Sequence, residues 1–234
     1  MGTMDLKCCN SDGDLKRQAG RPRSETARRA ILDSAFSFIQ EKPIAEISTI
    51  HIAQRAGVST ATVYRWWTTK EALLLEAVMF HCVQDVVLAE AGKPLDRLLD
   101  YVLQVGRSFM GRNGKVVARL LTAIQDNDVL RQEYNEQFYS PRSREIFAVI
   151  QEAIDEGDLP ADLNPPVFKD TIFGPLLARL LIRHEPIDEA YVTAIFRSAV
   201  AGARALAACE AASAGRTSQN DRSRSRSALD IFPV

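Results

Sequence analysis

Residues 49–70 read TIHIAQRAGVSTATVYRWWTTK, and the spacing inside this stretch decides the fold. Ala53 stands four residues before Gly57, Val58 follows directly, and Val63 and Trp66 come six and nine residues after the glycine. Ala53 is small enough for two helices to cross closely, and Gly57 supplies the positive φ of a tight turn between them. Ile52, Val58 and Val63 are placed to fill the wedge between those helices. Ser59 is positioned as N-cap of the second helix, its hydroxyl accepting from N–H groups that have no partner inside the helix. These independent constraints describe a helix-turn-helix, a unit that lays its second helix in the DNA major groove.

The flanking sequence is helical on both sides. Ser24 can cap a first helix reaching about Gln40, with Ile31, Ala35 and Phe38 on one face; Pro43 ends it and Ser48 caps the next. Thr68 and Glu71 have capping-box spacing, which predicts a helix from Thr69 to about Glu90. Gly92 and Pro94 precede a helix of about 95–111, and Gly111 and Gly114 bracket a break before a shorter one ending at Ile124. Asp126, Asn127 and Asp128 offer caps for a segment to about Tyr139, and Ser140-Pro141 restarts a helix that stops at Gly157. Asn164 as cap and Pro165 at the first helical position open a helix to about His184, and a last helix runs from about Ile187 to Ala212. No segment alternates with period two. The expected fold class is all-α with nine or ten helices, divided into a disordered tail 1–19, a three-helix DNA-binding head 20–68, a helical ligand-binding and dimerisation domain 69–212 and a disordered tail 213–234.

Charge follows the same division. The net charge of the chain is −1, yet residues 16–70 hold ten Lys/Arg against four Asp/Glu, while residues 71–212 hold fourteen against twenty-one. A basic head on an acidic body is the distribution of a nucleic-acid reader whose other part faces away from DNA. No run approaches the ~20 uninterrupted apolar residues that span a bilayer, so no membrane partner is expected. The four cysteines, at 8, 9, 82 and 209, show neither CxxC pairing nor a histidine at ligand spacing, which predicts no metal, no cofactor and a reducing, cytoplasmic setting.

Ile31-Leu32, Ala35, Ile52-Ala53, Ala56-Gly57-Val58-Ser59, Thr62, Tyr64, Trp67 and Lys70-Glu71-Ala72-Leu73 together resemble the DNA-binding domain of the TetR/AcrR family of transcriptional regulators, over about residues 20–78. GPLLARLL at 174–181 and the EPID that follows resemble one C-terminal domain type of that family. The sequence departs from the family in having Pro43 where glycine is usual and Trp66-Trp67 in place of the commoner His-Phe. The resemblance implies a homodimer whose helical body holds a small effector, and a repressor that leaves its DNA when that effector binds.

On this resemblance Thr62, Tyr64, Trp66 and Lys70 face phosphates, with Lys70 in the first turn of its helix, where ammonium and helix dipole act together. Ser59 caps the recognition helix; Thr60 and Ala61 are the base-edge candidates, Arg65 a further contact, and Arg21 and Arg23 an arm for the adjacent minor groove. In the body, Leu177 and Leu181 with Tyr191, Ile195, Ala199 and Gly202 form the expected dimer face, the last four repeating at helical spacing. Phe109, Met110, Phe138, Phe147 and Phe173 are candidate walls of a pocket, with His81 or Tyr134 as polar handles and a small hydrophobic effector of unidentified nature as occupant. The expected partners are thus a near-palindromic double-stranded operator, a second copy of the chain and that effector. Three alternatives remain open: a DNA-binding regulator without an effector, a helix-turn-helix used only for protein contacts, and a helical enzyme. The last is disfavoured because no catalytic constellation appears, the three histidines at 51, 81 and 184 being widely separated.

Overall fold

The computed structural model describes the backbone of residues 25–227 and the side chains of residues 25–209. The expected tail 1–19, the arm residues Arg21 and Arg23 and the cap Ser24 lie outside the described residues. Among the described residues there are ten α-helices and no strand.

Three helices make the head: α1 (Glu25–Glu41), α2 (Thr49–Arg55) and α3 (Thr60–Tyr64). Pro43 turns the chain into a single 3-10 turn, Ile44–Glu46, which buries Ile44 and delivers Ile47 to the core. The turn between α2 and α3 carries Gly57 at φ +68°, a left-handed conformation costly for any residue with a Cβ. Ser48 and Ser59 cap α2 and α3, accepting from Ile50 N at 3.3 Å and Thr62 N at 3.2 Å. Arg55 pairs bidentately with Glu41 at 2.7 and 3.0 Å and stacks on Phe38, ring centroid 3.5 Å away.

Helix α4 (Lys70–Val78) joins head to body. Leu73, Leu74 and Leu75 are all 1% exposed or less, as expected of a helix enclosed all round. One side packs on α1, the other on α6 (Gly111–Asp126) and α7 (Asp128–Tyr134). Polar clasps reinforce the junction: Asn127 donates to Glu71 at 3.2 Å, Thr69 to Glu133 at 3.4 Å, and Arg119 to the Ile39 carbonyl. The N-cap is Thr69, accepting from Ala72 N at 3.0 Å, one residue later than the Thr68–Glu71 box predicted; Glu71 is engaged with Asn127 instead.

Nor does this helix run to Glu90. It widens into a π-turn at Met79–Val83 and stops. Beyond it the side-chain amide of Gln104 grips both backbone groups of Val87, at 2.9 and 3.0 Å, and Arg97 donates to the Ala89 carbonyl at 2.7 Å. Backbone satisfied from neighbouring side chains no longer needs a helix.

The body is completed by α5 (Pro94–Ser108), α8 (Ser140–Asp155), α9 (Pro165–Ala178) and α10 (Glu189–Ser227). The expected break at Ser140-Pro141 is absent, because a π-turn at Asn135–Tyr139 carries α7 into α8 and leaves Pro141 in the first turn, where its missing N–H is harmless. A third π-turn, Arg179–Arg183, follows Pro175 in α9 and ends at His184, whose φ of +53° terminates the helix. The last helix extends past Ala212 into the segment 213–227 expected to be disordered, a stretch that no proline interrupts. Within it, Glu189–Cys209 is long and apolar enough by composition to cross a membrane, although Arg197 and Arg204 interrupt its apolar run; in this fold it lies against α5 and α9.

Candidate DNA-reading surface and body cavity

Two places in the molecule combine exposure or enclosure with chemistry. The first is the outer face of α3. Val63, 1% exposed, pins the helix to the core with Ile52 and Ala53, which leaves Ala61, Tyr64 and Arg65 outward and Thr60 half-buried at the first turn. Tyr64 is 55% exposed, so its phenol is presented rather than packed. Ser59 Oγ, Thr62 Oγ1 and Arg65 Nη2 form a chain with steps of 3.0 and 3.4 Å, which holds the arginine along the helix.

Trp67 is anchored beneath this surface. It is 4% exposed, and its Nε1–H donates to Glu76 Oε2 at 2.7 Å. Glu76 also pairs with Arg28 of α1, whose guanidinium lies 5.5 Å from the Trp66 ring centroid. Lys70, the first residue of α4, has a quarter-exposed side chain with its ammonium 3.9 Å from Glu71. It therefore stands at the positive end of α4, immediately after the loop that carries Trp66 and Trp67.

The second place is a cavity of about 330 Å³ in the body. Its walls come from the π-turn of α4, from α5, α6 and α9, and from the α7–α8 junction. Of the seven expected pocket residues, Phe109, Tyr134, Phe138 and Phe173 line it. The other three do not. His81 stacks on Phe36 with ring centroids 4.3 Å apart and puts Nε2 3.1 Å from Asp33 Oδ1, without forming a hydrogen bond there, so it belongs to the α1–α4 contact. Burial holds its imidazole below the usual range, partly opposed by Asp33. Met110 is 48% exposed in a surface groove beside Lys115 and Arg119, and Phe147 packs 5.6 Å from the Lys169 ammonium.

The larger polar members of this wall, Tyr101, Tyr139, Arg142 and Lys169, were not expected from the sequence, nor were Ser108, Ser143 and Asp170. Burial raises the Tyr101 phenol and pushes that of Tyr134 up to about 12, so both remain neutral donors. A readable signal for Lys169 existed, a lysine set among Phe168, Ile172 and Leu176 in the buried stripe of α9.

The residues expected at a dimer face are spread over α9 and α10. Leu177 and Leu181 are each 37% exposed, and Leu177 also borders the cavity. Tyr191 is half-buried, with the Arg179 guanidinium 3.2 Å from its ring centroid, and Ile195 is half-buried, Ala199 buried and Gly202 exposed. Ile182 (77%) and Leu206 (68%) are larger exposed apolar groups nearby.

A three-helix reader with an outward third helix, joined through one buried helix to a helical body, defines a helix-turn-helix transcriptional regulator. The chain belongs to the TetR family. Residues 31–77 match the family described as bacterial regulatory proteins of the tetR family, and residues 88–199 match the tetracyclin repressor-like C-terminal domain. The chain is 30% identical over 196 residues to the uncharacterized HTH-type transcriptional regulator YdeS of Bacillus subtilis, covering 84% of this chain and 99% of that one. It is 32% identical over 98 residues to the HTH-type transcriptional regulator EthR of Mycobacterium tuberculosis, covering 42% and 43% of the two chains. Among solved structures, the TetR family transcription regulator SCO0332 superposes with a TM-score of 0.60 at 26% identity, over 75% of this chain and 97% of that one. The family and these relatives point to a DNA-binding transcriptional regulator rather than an enzyme.

Proposed function

We propose that this chain is a homodimeric repressor, with residues 20–68 as reader head and 69–212 as body, which leaves a near-palindromic operator when a small, mainly hydrophobic effector enters the body cavity. The observation that carries this reading is the placement of α4. Its first residue, Lys70, borders the reading surface, and the π-turn at its other end supplies Met79 and Val83 to the cavity wall. From Lys70 to Val83 the helix spans roughly 20 Å at ~1.5 Å per residue. An occupant that displaces the π-turn tilts a rigid rod whose far end sets the position of α3, and an effector with unequal affinity for the two positions is linked to DNA affinity.

At the reader, Thr60 and Ala61 are assigned to base edges with Arg65 beside them, and Thr62, Tyr64, Trp66 and Lys70 to phosphates. For the dimer, α10 supports the reading: only 28% of its most apolar window is buried within the single chain, which leaves small residues such as Gly202 open for a second helix to approach closely. Two heads related by a two-fold would engage half-sites about 34–36 Å apart, or at a multiple of that spacing. As a DNA reader the chain would act in the cytoplasm.

The test is footprinting of the purified chain on DNA flanking its own gene, with light scattering to give the oligomeric state. Expected are a protected near-palindrome and a dimer. No protected site, or a monomer that binds DNA with full affinity, contradicts the reading.

A further inference from the structure

The cavity carries two cations that its apolar walls do not explain. Lys169 is only 7% exposed; its ammonium donates to Tyr139 Oη at 2.8 Å and lies 4.3 Å from the centroid of the same ring. Arg142 rests 4.5 Å from the Phe138 centroid and reaches the Val83 carbonyl at 3.4 Å, while its Nε is buried with no hydrogen-bond partner among the described residues. Neither cation forms an ion pair among the described residues. Asp170 also borders the cavity, on the exposed side of α9, and pairs with neither. Tyr101 and Tyr134 contribute neutral hydroxyls, and Tyr139 a ring face. Ring faces offset part of the cost of burying a cation, but an uncompensated buried charge remains unfavourable until an anion meets it.

We propose that the cavity binds an amphipathic monoanion, a carboxylate on an apolar body, whose head is held by Lys169 and Arg142 and whose body lies along Phe109, Leu120 and Phe173. The assignment rests on the effector reading above and narrows it from hydrophobic to hydrophobic and acidic. Each component has a reason. The planar guanidinium of Arg142 still has an unused buried N–H to offer, and its fork matches the two carboxylate oxygens. A cationic ligand would stand against two like charges, and a neutral one would leave both unmet. The volume of 330 Å³ is about twice the ~150 Å³ of a dry apolar cavity that takes up benzene, which suits a medium-length acyl chain or a two-ring acid.

The test compares decanoate, decanol and decylamine, which share an apolar body, by titration calorimetry on the full chain, its Lys169→Met and Arg142→Met variants, and the wild type. On the wild type, decanoate should bind about tenfold or more tighter than decanol, and decylamine weakest, because charge-assisted bonds to the head are available only to the anion. Each variant should lose about tenfold for decanoate while holding decanol within about twofold, and retained decanol binding shows that the cavity is still folded. Decanol matching decanoate on the wild type, both variants keeping decanoate affinity, or no binding of any of the three would overturn the assignment. Operator release is read separately by anisotropy. Tight decanoate binding without release overturns the repressor reading and keeps this site; equally effective release by decanol does the reverse.

Discussion

Replacing Glu76 separates the hydrogen bond that anchors Trp67 from the other contacts of the head. The carboxylate accepts from the buried Trp67 Nε1–H at 2.7 Å and pairs with Arg28, both ionic side chains being about one-third exposed. In Glu76→Ala the indole N–H stays buried without an acceptor, a cost of about 1–3 kcal/mol. Loss of the partly solvated Arg28 pair adds about 0–1 kcal/mol. Together these remove about 1–4 kcal/mol of unfolding free energy. Glu76→Gln keeps an acceptor for the indole and should cost about 1 kcal/mol, most of it from losing the charge on the acceptor. Urea denaturation at one fixed protomer concentration measures all three proteins, the fixed concentration being needed because association contributes to apparent stability. A cycle with Trp67→Phe isolates the bond: without an N–H to strand, Glu76→Ala should cost only the Arg28 component, a coupling of about 1–3 kcal/mol. Equal costs for alanine and glutamine, with no coupling to Trp67, would refute the anchoring role.

Two further perturbations test the packing. A Cβ added at Gly106 would lie 2.8 Å from Cγ2 of Val192, a stiff β-branched side chain, so Gly106→Ala should push α5 from α10 and destabilise the chain by about 1–3 kcal/mol by thermal melting; an unchanged melting temperature would contradict the α5–α10 contact. For His81, burial lowers the folded-state pKa below its unfolded value near 6.5, so the unfolded chain binds more protons and stability falls as the pH drops from that value toward the lowered one. His81→Phe should therefore lose less stability than the wild type between about pH 7.5 and about pH 5.5; parallel pH profiles would show that the imidazole does not titrate as its burial implies.

The head was legible because it is built from short-range rules. Ala53, Gly57 and Val63 each have one reason to be where they are, and the structure places Ala53 and Val63 in the core and Gly57 in a left-handed turn. The boundaries that went astray share a different cause. Wide turns at Met79–Val83 and Asn135–Tyr139 break no periodicity strongly enough to be seen, and the end of α4 is set by Gln104, a residue far along the chain from Val87. The cavity follows the same pattern. Its aromatic walls were partly foreseeable from composition, since Phe109, Phe138 and Phe173 had to pack somewhere in the body. His81 misled because a histidine among apolar residues marks a polar handle only when its neighbours across the fold are known, and here they are Asp33 and Phe36. Lys169 and Arg142 were not among the expected pocket residues, although an apolar stripe that admits a lysine is itself a signal.

The outer face of α3 and the start of α4 form the surface proposed to meet DNA. Its most direct test is the salt dependence of operator binding for wild type and Lys70→Ala, by fluorescence anisotropy from about 50 to about 200 mM salt. Each lost phosphate contact should flatten the log–log slope by about 0.9, so a dimer lacking both lysines should show a slope shallower by about 1.8, with weaker binding to every sequence. A Thr60 substitution measured alongside should leave the slope alone and change the preferred base. Affinity and slope both untouched in Lys70→Ala would contradict the docking proposed for this surface.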